Sequence, residues 1–192
     1  MRFMIIAKQK RKENIAEYLL YMWQIEDLIR VCGFDMDKIE KAIISNYSLD
    51  EKTKAEVRDW YENLVKMMEL EHVKEKGHLQ INKNVLIRLS DLHQQLLKST
   101  KYPEYGAEFY KTLPFIVELR AKTPTEMQVG ELETCFNALY GVLLLRLQKK
   151  AISKDTETAI KQISHFIGLL ASYYKKNEEK PLFDEKDDFS FE

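Results

Sequence analysis

The chain has 192 residues, a formal net charge of −1, 45% apolar and 32% charged residues, six Gly and four Pro. This composition excludes a disulfide-stapled mini-protein and a low-complexity segment, and it lacks the concentrated basic surface that nucleic-acid binding requires. It describes a soluble, helix-rich chain large enough to bury a core of its own.

Residues 1–13 read as a basic lead-in, with Lys8, Lys10, Arg11 and Lys12 clustered as a solvated stretch. The apolar run at residues 1–6 is too short for the core of a secretory signal. Residues 14–32 carry the first strong pattern. Tyr18, Tyr21, Met22, Ile25, Leu28, Ile29 and Cys32 recur at three- and four-residue steps, the spacing of one helical face. Gly33 suits the left-handed cap after it, and Asp35 or Asp37 caps a short helix through Ile39 and Ile43. Ser48 and Glu51 form a capping-box pattern ahead of a long helix with Val57, Trp60, Tyr61, Leu64, Met67 and Met68 on one face.

Residues 72–84 read as a loop stopped by Gly77, after which Val85, Leu89, Leu92 and Leu96 resume the helical period. Pro103 fits a first helical position, and Pro114 predicts a kink or a division into two pieces. Residues 131–150 are apolar around most of the helix and are expected to be the central, most buried element. Ser153 caps a last helix whose inner face is Ile160, Ile163, Phe166, Ile167, Leu170, Tyr173 and Tyr174. From Lys175 the chain holds seven acids against four lysines.

The expected fold is all-α: a single-domain helical bundle of about six or seven helices over residues 14–176, with an acidic tail at 177–192. Cys32 and Cys135 fall on apolar faces and read as reduced core residues, which points to the cytoplasm. The longest uncharged stretch ends at Arg146, too short to span a bilayer.

Motifs that name a reaction are missing. There is no glycine-rich phosphate loop, nucleophile elbow or paired CxxC, and Glu69-x-x-His72 supplies only half of a di-iron pattern. No metal or cofactor is expected. The informative signal is charge on apolar faces. Arg146 falls on the buried side of its helix, Glu26 at the edge of the first helix's apolar face, and Glu118 and Arg120 within an apolar run. Such charges must pair or meet a ligand, so Glu26 and Arg146 are expected partners and Glu118, Arg120 and His93 candidate ligand-binding neighbours. Leu20 and Trp23 point away from the core. With Phe183, Phe189 and Phe191 of the tail, they are the candidate partner surface.

The segments NIAEYLLYMWQIEDLIR, VKEKGHLQINKN, LPFIVELR, LETCFNALYGVLLLRLQKK and ISHFIGLLASYY together resemble a bacterial domain-of-unknown-function family of small cytosolic helical proteins. The resemblance runs from about Ile5 to Tyr174, marks Met4 as an alternative start, and implies no activity or catalytic residue. The reading is therefore a non-catalytic cytoplasmic binding or assembly protein, with protein partners or self-association and neither nucleic acid nor membrane. The alternative is a small-ligand-binding protein or enzyme with a pocket around Arg146, Glu26 and Glu118.

Overall fold

The computed structural model describes residues 2–46 and 48–183, with side chains from Ala7 onward. Within the described residues lie eight α-helices and no strand: α1 (Arg2–Glu13), α2 (Ile15–Val31), α3 (Met36–Ala42), α4 (Glu51–Leu70), α5 (Gln80–Lys98), α6 (Pro103–Ala121), α7 (Glu131–Leu147) and α8 (Lys154–Glu179). The all-α prediction holds. The helices group into two compact units, Met1–Val85 and Leu86–Glu192.

In the first unit α1 packs on α2 and α4, and α3 packs on α4. Residues 2–13, which the sequence marks as a lead-in to the bundle, are thus helical. Lys10, Arg11 and Lys12 occupy the last turn of α1, where the helix dipole favours cations. Lys10 pairs with Glu17 at 2.7 Å. Asn14 starts α2 by accepting from the N–H groups of Ala16 and Glu17. The helix then buries Ile15, Leu19, Met22, Ile25 and Ile29. Gly33 ends it at φ +65°, as its position predicts. Asp35 is the cap of α3. For α4 the cap is Asp50, which accepts from Thr53 N–H and Oγ1, and not Ser48; its charged oxygen meets the positive end of the helix. Val57, Tyr61, Leu64 and Met68 are the buried face of α4.

In the second unit α6, α7 and α8 pack on one another. Tyr105, Phe109, Ile116, Cys135, Phe136, Ile163, Phe166 and Leu170 fill its core. Ser153 caps α8 as predicted, accepting from Thr156 N–H. Helix α6 passes through Pro114 as one element. Pro114 is exposed, so the carbonyl it leaves unbonded lies on the solvent side. Helix α7 departs from expectation. Leu132, Thr134, Cys135, Phe136 and Val142 are buried, but Leu139, Leu143, Leu144 and Leu145 are half-buried and Leu147 is exposed. No helix among the described residues is long and apolar enough to cross a membrane.

Two helices end without glycine in a position that favours it. His72 (φ +56°) closes α4, with Val73 N–H bonding Met68 and His72 N–H bonding Glu69. Lys149 (φ +56°) closes α7 in the same way. A side chain in the left-handed region carries a steric cost that glycine avoids. His72→Gly and Lys149→Gly are each expected to raise stability by about 1 kcal/mol in urea denaturation.

Candidate functional site

The most elaborate polar cluster is built on α2. Glu26 is 1% exposed. Its Oε1 accepts from the Leu79 N–H at 3.0 Å and from Asn82 Nδ2 at 2.7 Å, and its Oε2 accepts from His78 Nδ1 at 2.6 Å. One turn back, Trp23 stacks on the His78 ring, with centroids 4.1 Å apart and planes 10° apart. One turn on, Arg30 donates to the carbonyls of Val73 (3.1 Å) and Gly77 and pairs with Asp27 at 2.7 Å. Residues 72–79 are therefore folded down onto α2.

This geometry corrects two expectations. The helical period places Trp23 on the solvent side, but it is 2% exposed because the loop covers that side of α2. The helix pattern marks the face but contains nothing about which loop lies over it. Glu26 finds His78, Leu79 and Asn82, while Arg146 is exposed near the end of α7, where water solvates it and no buried counter-ion is required. Leu20 is half-buried.

The cluster also explains where α5 starts. Leu79 occupies the capping position, since Lys83 N–H bonds its carbonyl at 3.0 Å, but leucine has no oxygen with which to cap. Carboxylates from outside α5 take that role: Glu26 of α2 accepts Leu79 N–H, and Glu71, just past the end of α4, accepts Gln80 N–H at 2.6 Å. Without a local cap residue, the sequence pattern becomes legible only at Val85. Chemically, the cluster holds a histidine by a buried carboxylate, with the His78 side chain 25% exposed. These bonds clamp residues 73–82 to α2.

The remaining candidates lie in residues 86–192. His93 is buried, ringed by Tyr105, Phe109 and Phe166, with Nδ1 2.6 Å from the Tyr105 hydroxyl and Nε2 3.9 Å from Glu131. Burial pushes its pKa down to about 4, and it raises the Cys135 thiol to about 12 and the Tyr105 hydroxyl further still. A neutral ring accepting from Tyr105 satisfies this geometry. Arg120 is half-buried, and its carbonyl accepts from Gln128 Nε2. Glu118 is exposed and paired with Lys122 at 2.6 Å. Phe183 lies edge-on to Tyr102, 5.8 Å between centroids. Phe189 and Phe191 lie outside the described residues.

Glu118 and Lys122 form part of the rim of a cleft of about 850 Å³ between α6, α7 and α8. Its apolar lining includes Phe115, Val142, Leu145 and Ile160, and Ser153, Asp155 and Thr156 add polar groups at the start of α8. Ala138, Gly141 and Ala159 keep it open. Composition alone places α7 at the centre; two alanines and a glycine along the cleft leave part of it uncovered. No group of His, Cys, Asp and Glu among the described residues is arranged to hold a metal ion.

A profile of the family described as "Domain of unknown function (DUF4924)" matches residues 4–181. The chain belongs to the DUF4924 family. No curated protein and no solved structure matches the chain. The DUF4924 match takes in the Glu26 clamp, His93 and the whole cleft, and it stops before Phe183.

Two outcomes follow from this geometry. Glu26→Ala leaves His78, the Leu79 N–H and Asn82 without their acceptor and should cost about 3–5 kcal/mol, with Glu26→Gln costing about 1–3. Urea denaturation decides it, and two near-neutral variants would show that the clamp is dispensable. For His93 the unfolded state binds a proton below about pH 6.5 and the folded state only near 4, so stability is full above 6.5 and is lost as the pH falls. The loss between pH 7 and pH 4 should be about 3 kcal/mol, and absent in His93→Gln.

Proposed function

We propose that the protein is a non-catalytic binding protein that takes a small, mainly hydrocarbon ligand into the cleft between α6, α7 and α8. The observation that carries this reading is Gly141. It lies inside α7, where glycine costs about 1 kcal/mol relative to alanine. A Cβ added there meets nothing within 4 Å, so no internal close approach requires the missing side chain. Gly106 and Gly168 are equally uncrowded, but of these helical glycines Gly141 is the one that lines the cleft, where any side chain would project into the open space.

The cleft volume falls within the range of small-molecule sites, and an apolar lining with a few polar groups at one side is their usual composition. Phe115, Val142, Leu145 and Ile160 offer contact to a hydrocarbon body, while Asp155 and Thr156 offer hydrogen bonds to a hydroxyl or amide end. Among the lining residues Glu118 and Lys122 neutralise each other, and Ser153 is committed to capping α8. This favours binding over catalysis. Glu118 enters the reading as a rim residue, without Glu26 or Arg146. A cytoplasmic, bacterial setting belongs to the same reading, supported by the free, buried Cys32 and Cys135 and by the resemblance of the sequence.

The test is a titration with Nile red, a neutral apolar fluorophore, alongside native mass spectrometry of the purified chain. Wild type is expected to bind, and Gly141→Leu to bind at least about tenfold more weakly while melting no lower, because leucine improves the helix. Equal binding by Gly141→Leu, or no binding by wild type, overturns the reading.

A further inference from the structure

Helix α6 buries Tyr105, Phe109, Thr112 and Ile116 on one face. Its opposite face carries Pro103, Ala107, Tyr110, Pro114, Val117 and Ala121, all exposed. Tyr110 is 69% and Val117 57% exposed. A surface helix facing only water places polar residues at such positions. Here every one is apolar, and the steps alternate between four and three residues, the period of a helix-pair seam.

We propose that this face is the contact surface for a second copy of the chain, with α6 lying antiparallel on α6 of the partner about a two-fold axis. The charges beside the seam favour a copy as the occupant. Glu104, Lys111 and Glu118 flank it on one side at heptad spacing. In an antiparallel pair related by a two-fold axis, these flanking positions face one another. Full overlap of the helices sets Lys111 against Lys111 and Glu104 against Glu118, which repel. A slip of one heptad toward the C-terminal end sets Lys111 against the partner's Glu118, twice by symmetry. The opposite slip needs Glu104, which already accepts from the Tyr173 hydroxyl.

The favoured register stacks Tyr110 on Ala121 and Pro114 on Val117, each pair twice. Glu118 holds a local surface pair with Lys122 (2.6 Å) that it can exchange at little cost, whereas Lys111 pairs with the buried Glu108 (3.4 Å), which keeps Gln162 Nε2 as a donor when Lys111 turns to the partner. The seam shares Glu118 with the cleft rim, while its apolar contacts lie outside the cleft and do not depend on a ligand there.

Size-exclusion chromatography with light scattering on the full chain tests the proposal. Wild type is expected to be a dimer at tens of micromolar. Tyr110→Glu and Val117→Glu should each weaken association at least about tenfold with the helical circular dichroism unchanged, since both side chains are exposed. Lys111→Glu alone and Glu118→Lys alone should each favour the monomer, and the double reversal should restore the dimer. A monomeric wild type, or a dimer indifferent to Tyr110→Glu, overturns the surface. A double reversal that fails to restore association overturns the register.

Discussion

The fold of residues 1–85 depends on one buried carboxylate. Glu26 is removed from water on α2, which is costly unless its oxygens are satisfied. They are satisfied by a histidine, an asparagine and a backbone N–H from one short stretch, Leu79 and its neighbours. The dependence is mutual. Leu79 cannot cap α5 with its own side chain, so the start of that helix needs an acceptor from elsewhere. Arg30 and Trp23 hold the same stretch from either side of Glu26 along α2, one through carbonyls and the other through the His78 ring. Hydrogen bonds to a charged group are stronger than neutral ones, and three converging on one carboxylate fix a loop that would otherwise expose its backbone.

Residues 86–192 are built on a different principle. Their interior holds an aromatic cluster, with His93 held neutral among Tyr105, Phe109 and Phe166. The helices α6, α7 and α8 are large enough to cover one another, yet Ala138, Gly141 and Ala159 hold part of the contact open. The cleft is thus a consequence of side-chain size at a few positions and not of a loop or a break in the helices.

The same helices carry two apolar features toward solvent, and these differ in chemistry. The cleft is concave, with an ion-paired rim and polar groups at one end. The outer face of α6 is a narrow convex seam with charges of alternating sign along one edge. Concavity suits a small ligand, whereas a straight seam suits another helix. Only Glu118, at the cleft rim and beside the seam, belongs to both.

By itself the sequence determined the helical class, the inner faces of α4 and α8, part of that of α2 (Leu28, expected inside, is exposed), the caps at Gly33 and Ser153, and the lack of any motif for metal or nucleophilic chemistry. These are local properties: helical period, cap chemistry and motif spacing act over a few residues and can be read one segment at a time. Tertiary structure alone decided that Trp23 is covered, that Glu26 meets His78 and Asn82, that Arg146 stays in water, and that α7 is only partly buried. Each depends on what lies opposite a helical face. A period specifies that a face is apolar or that a charge sits at its edge, but the partner comes from segments about fifty residues away for Glu26 and from how closely small residues of α7 and α8 let the helices cover one another for α7.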